Sequence, residues 1–120
     1  MQINSQKNNQ QSFGMLRADE LAKRALKSRL KAKEIQEFEN IVAEQAGKRV
    51  NIDLFQHPGA NNLSGSVYTQ GRFYETHDEG FFASFGSPLK FIKKLVKIAE
   101  NKENWLKEQD GLDNIMDYLS

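Results

Sequence analysis

The chain has 120 residues, with 17 basic and 16 acidic side chains, a formal net charge of +1 and no cysteine. That length supports one domain with one core. The absence of cysteine excludes disulfides, zinc–thiolate sites and cysteine nucleophiles. Charged residues at 28% and hydrophobic residues at 38% read as a soluble globular chain. No run approaches the roughly 18 apolar residues of a membrane span, and the first fifteen residues lack the apolar core of a signal peptide. A cytoplasmic protein without a membrane partner is therefore expected. The charge is segregated: residues 17–33 sum to +5, 34–46 to −4, 88–98 to +4 and 100–120 to −4. Such blocks favour internal pairing or an asymmetric surface over a uniformly basic nucleic-acid-binding one.

Residues 1–12 are dominated by Gln and Asn, which bury too little apolar surface to order a chain, and a mobile tail is expected ahead of a single domain at 13–120. Phe13 and Met15 are placed to begin the fold. Ala18, Leu21, Ala22, Ala25, Leu26 and Leu30 form a helical stripe, and Ile35, Phe38, Ile41, Val42 and Ala46 form a second. In continuous phase the stripes would lie about 180° apart, so a break near Lys31–Lys33 is preferred to one long helix. Gly47 is placed to end the second helix.

Val50, Ile52 and Leu54 alternate with Asn51 and Asp53, giving a half-buried strand over 49–55. Residues 63–69 give a second strand, in which Gly65 signals a bulge or a close approach. Gln70–Gly71 turns the chain into a third strand, 72–76. Asp78–Gly80 turns it again, making 81–85 a short fourth strand. Ser87 and Pro88 then start a helix. Gly111 is expected to break it, leaving Leu112, Ile115, Met116 and Leu119 as a final short amphipathic helix.

The expected fold is α+β, in the order α-α-β-β-β-(β)-α-α. It is a three- or four-stranded antiparallel meander with helices packed mainly on one face. The core is expected from Leu21, Ala25, Leu26, Ile35, Phe38, Ile41, Val42, Val50, Ile52, Leu54, Val67, Phe91, Ile92, Leu95 and Val96.

Three groups of residues carry functional readings. Lys90, Lys93, Lys94 and Lys97 fall within an arc of about 100° on the last long helix. They form either a phosphate-contacting surface or a solvated face balanced by the glutamates of 34–46. Tyr68, Phe73, Tyr74, Phe81, Phe82 and Phe85 form an aromatic block suited to a core, a partner interface or base stacking. Phe81 and Phe82 cannot share one side of a strand, so one of them is expected either at the surface or under the N- or C-terminal segment. His57, His77, Asp78 and Glu79 are the residues that would serve an acid–base site. Adjacent turn residues do not converge on one point, and no metal-ligand spacing, Gly-rich phosphate loop or serine elbow is present.

Residues 33–104 run helix, three strands, helix. With Ser87-Pro88-Leu89-Lys90, Lys93 and Lys94 at the last helix, and His57-Pro58 in the first strand loop, this order resembles the double-stranded-RNA-binding domain in topology. The resemblance implies contact with nucleic acid through the basic end of that helix. The chain departs from the family pattern in its acidic first helix and in Leu95, Val96 and Ile98 where the family has a small, alanine-rich stretch. The function expected is a non-enzymatic binding protein without a cofactor, whose partner is another protein. Its candidate binding residues are Lys90, Lys93, Lys94, Lys97, Tyr74 and Phe82. A nucleic-acid-binding module is the alternative, and a His-dependent enzyme the third reading.

Overall fold

A computed structural model describes residues 15–120, so the Gln/Asn-rich stretch at 1–12 and Phe13 lie outside the described residues. In chain order come β1 (Leu16–Ala18), α1 (Glu20–Arg29), α2 (Ile35–Gln45), β2 (Asn51–Phe55), β3 (Ser64–Thr69), β4 (Phe73–Asp78) and α3 (Leu89–Leu119). The fold is α+β, with one four-stranded sheet in the order β1-β2-β3-β4.

The sheet is mixed. β2, β3 and β4 form the expected antiparallel meander, but the fourth strand is β1, which pairs parallel to β2 through Leu16–Ile52 and Ala18–Leu54. The expected strand at 81–85 is instead a 3-10 turn, Phe82–Phe85. Two adjacent phenylalanines between Gly80 and Gly86 cannot both turn inward along a strand, and here neither does.

Each helix boundary has a local cause. Asp19 caps α1, its Oδ1 accepting the Ala22 N–H at 2.8 Å, while its own N–H donates to the Leu54 carbonyl at 3.0 Å. The preferred break is present: Leu30 and Lys31 are extended, and a 3-10 turn at Ala32–Glu34 leads into α2. The Glu34 carboxylate accepts the Lys31 N–H at 2.8 Å, which satisfies a donor left free at the helix start. α2 stops at Gln45, before Gly47, and the buried Gln45 amide donates to the Val50 carbonyl at 2.7 Å. The Ser87 hydroxyl accepts the first N–H of α3, that of Leu89, at 3.1 Å. Gly111 does not break this helix. Its cost of about 1 kcal/mol falls within 31 continuous helical residues.

The helices cover one face of the sheet. Val50, Ile52, Leu54, Leu63 and Val67 meet Leu89, Phe91, Ile92, Leu95, Ala99 and Leu106 from α3 and Ala22 and Leu26 from α1. Fully burying each large aliphatic side chain contributes roughly 1.5–3 kcal/mol. Ile35, expected in the core, is half exposed, because the break at Leu30–Lys31 turns the first turn of α2 outward. Gly65 has no bulge; it pairs in unbroken register with Leu54 and His77. Its meaning is close approach, since a Cβ there would overlap the Leu95 side chain. Gly71 adopts φ 80° in the β3–β4 loop, the left-handed conformation that glycine supplies without strain.

Gly65→Ala is expected to destabilise the protein by about 1–3 kcal/mol, because the buried Leu95 side chain must shift within the core to make room. Chemical denaturation gives the value. A change within about 0.5 kcal/mol would mean that the helix does not rest on this glycine.

Candidate interaction surfaces

At the end of β4 the chain turns into the body. The Glu79 N–H donates to the Leu63 carbonyl at 2.8 Å, and its carboxylate, 1% exposed, receives the Leu63 N–H at 3.0 Å. Both terminal nitrogens of Arg29, at the end of α1, donate to the same carboxylate at 2.7 Å. Arg29 Nη2 also donates to the Ala83 and Gly86 carbonyls, each at 3.1 Å. One guanidinium thus fixes the carboxylate and both ends of the 3-10 turn.

That turn presents three phenylalanines to solvent. Phe81, Phe82 and Phe85 are 64%, 83% and 74% exposed. Phe81 is the hub, its ring meeting Phe82 edge-on at 5.3 Å and Phe85 at 5.6 Å. The Ser84 hydroxyl donates to the Phe81 carbonyl at 2.6 Å, holding the turn from within. The aromatic block of the sequence is therefore divided in space. Phe73 lies against Trp105 and under the Lys102 ammonium on the helix side. Tyr68 and Tyr74 stack at 5.5 Å on the opposite face.

That opposite face is polar. Arg17 grips Asp53 at 3.1 and 3.2 Å, and the Tyr68 hydroxyl donates to the same carboxylate at 3.0 Å. Burial, reinforced by the Asp53 charge, pushes the Tyr68 phenol above its ordinary pKa. Tyr74 is exposed, and its hydroxyl reaches Ser66 Oγ at 3.0 Å. Tyr74 and Phe82 thus belong to different surfaces.

Lys90, Lys93, Lys94 and Lys97 are all exposed on α3, opposite its buried side. Lys93 forms an ion pair with Glu37 of α2. The Ser87 hydroxyl and the Lys31 N–H hold the neighbouring Glu34 carboxyl below its ordinary pKa. In the other basic block Arg17 lies on the open sheet face, Arg29 is partly buried against Glu79, Lys23 pairs with Glu20 at 3.6 Å, and Lys27 lines a groove between α1 and α2.

The residues read as a possible acid–base site separate as well. His57 packs edge-on to Phe55, His77 contacts Glu75 at 3.3 Å, Asp78 accepts from Ser64 on the other face, and Glu79 is held by Arg29. Among the described residues no three His, Asp or Glu side chains gather as a metal site. No helix among them is long and apolar enough to cross a membrane.

Comparison with protein-family models, with characterised proteins and with solved structures gives no match to this chain.

Sequence reasoning missed the anchor of the Phe turn. Arg29 and Glu79 stand 50 residues apart; alone, Arg29 reads as one charge of a basic helix and Glu79 as part of a polar turn.

A second charge contact yields a pH prediction. Lys102 Nζ sits 2.8 Å from Glu75 and, with His77, holds that carboxyl below its ordinary value of 4.5. A depressed folded-state pKa stabilises fully above the unfolded value and is lost as pH falls through the folded one. Glu75→Gln is therefore expected to cost up to about 1 kcal/mol near neutrality, since the pair is partly exposed. The deficit should close as the pH falls through 4.5 and below, where the carboxyl protonates in both states. Urea denaturation across that range checks it, and a deficit independent of pH would contradict the assignment.

Proposed function

We propose that this chain is a non-enzymatic protein-binding domain, and that Phe81, Phe82 and Phe85 are its principal contact with a partner protein. The observation that carries this reading is the joint state of those rings. They are exposed, yet the turn beneath them is tied by Arg29 to Glu79, Ala83 and Gly86. Exposed apolar clusters on soluble chains mark interaction sites. Aromatic anchors dominate interface energetics when they enter a desolvated pocket. A turn already held in shape loses little conformational entropy on binding. The partner this chemistry fits is a protein with an apolar pocket wide enough for one or two phenyl rings. Phe82, the most exposed of the three, is the anchor.

The nucleic-acid reading has narrower support. Lys90, Lys94 and Lys97 form no ion pair among the described residues, but Glu37 takes up Lys93, and Arg17, Lys23 and Arg29 of the other basic block pair with Asp53, Glu20 and Glu79. A short arc of this kind supplies few phosphate contacts.

The test compares capture by the wild-type chain with capture by Phe82→Ala/Phe85→Ala from nuclease-treated lysate. Both rings are exposed, so stability is expected to change by no more than about 0.5 kcal/mol per site. Partner recovery should fall about tenfold or more. Equal capture by the two proteins, or capture that nuclease abolishes, would contradict the reading.

A further inference from the structure

Two apolar surfaces remain beside the Phe turn. One is the end of α3. Leu106 is its last buried residue, and every residue from Gly111 onward is exposed. Within that stretch Leu112, Ile115, Met116 and Leu119 fall at i, i+3, i+4 and i+7, a continuous apolar stripe on one side of a helix. Residues 111–120 carry Asp113 and Asp117 and no basic side chain. The other surface is a groove of about 360 Å³ between α1 and α2. Leu26, Leu30, Ile35 and Phe38 form its walls, and Lys23 and Lys27 stand at its rim. Lys27 forms no ion pair among the described residues, and Lys23 has only the exposed contact to Glu20.

The two surfaces are complementary. One is an acidic amphipathic helix and the other an apolar, basic-rimmed groove, the arrangement by which a helix docks through anchors at i, i+3, i+4 and i+7. The chain cannot join them within itself. α3 is anchored near the groove by the Lys93–Glu37 pair and at its far end by Arg49, which reaches Glu103 and Asp110. Ile115 lies about 33 Å along the helix axis from Lys93, at 1.5 Å per residue. An unbroken α3 therefore carries its stripe away from its own groove.

We infer that the groove between α1 and α2 receives the α3 end of a second copy of this chain, Asp113 and Asp117 meeting Lys23 and Lys27. One docked helix end of ten residues is small against the roughly 1,200 Å² of a stable interface. Reciprocal exchange doubles it and closes the assembly as a two-fold dimer. The Phe turn takes no part in this contact and remains open to another partner.

The test is sedimentation equilibrium of the full chain over a wide concentration range. Wild-type protein should rise from the monomer mass to twice that value and stop there. Ile115→Asp/Met116→Asp changes only exposed positions and should weaken association about 30-fold or more. Lys23→Glu/Lys27→Glu should weaken it as well. Combining the latter with Asp113→Lys/Asp117→Lys should restore it, which only direct contact between these groups explains. Phe82→Ala/Phe85→Ala should associate like wild type, which separates this claim from the partner-binding one. A wild-type chain that stays monomeric at millimolar concentration overturns the inference. So does a dimer that survives the groove variant, or one that the charge exchange fails to restore.

Discussion

The ion pair between Arg29 and Glu79 is the interaction on which the functional part of this structure depends. Its side chains are 14% and 1% exposed. Removing two charges from water costs several kcal/mol each, and their attraction offsets that cost only with good geometry and further hydrogen bonds. Glu79 meets the condition with two guanidinium nitrogens and the Leu63 N–H. Arg29 meets it less completely, since its buried Nε has no partner among the described residues. The net contribution to stability is accordingly small. What the pair supplies is position. It joins the end of α1, the start of β3, the 3-10 turn and the residues leading into α3, which no backbone ladder connects.

The segregated charge of the sequence has a related meaning. Arg17 pairs with Asp53, Arg49 with Glu103 and Asp110, Lys93 with Glu37, and Lys102 with Glu75. Each of these contacts joins different elements. Exposed pairs contribute little energy individually. Placed at the sheet edge and the helix crossings, they favour one arrangement of elements over alternatives with like charges opposed. The lysine arc of α3 is partly absorbed into this internal balance. The Phe turn is not balanced by anything within the described chain.

Much of the scaffold was legible in the sequence because its signals are local. The opposed phase of two helical stripes placed the break between α1 and α2. The alternation of Val50, Ile52 and Leu54 placed β2 and its buried side, and Gly65 signalled the close approach that Leu95 makes. Local reasoning failed where long-range pairing decides. Leu16–Ala18 is three residues long and is a strand only because β2 offers it an edge. Phe81–Phe85 has strand-like composition, but Arg29 draws the Ala83 and Gly86 carbonyls around one guanidinium. Gly111 reads as a helix stop, yet its propensity cost of about 1 kcal/mol is small against the anchoring of α3 by Arg49 at Glu103 and Asp110 just before it. Of the six candidate binding residues, the four lysines share one surface, while Tyr74 and Phe82 lie on two others.

The central claim is that Arg29 fixes the conformation of the Phe turn. Amide hydrogen exchange in the Arg29→Lys variant tests it most directly. Lysine keeps a charge for Glu79 but cannot also reach the two carbonyls with a planar fork. In wild-type protein the Ser84 N–H donates to Gly80 and the Gly86 N–H to Ala83, at 3.2 and 3.0 Å. The account predicts that these two amides exchange about tenfold faster or more in the variant, the equivalent of one or two lost hydrogen bonds, while the amides of β2 and β3 keep their protection. Unchanged exchange at Ser84 and Gly86 would contradict it.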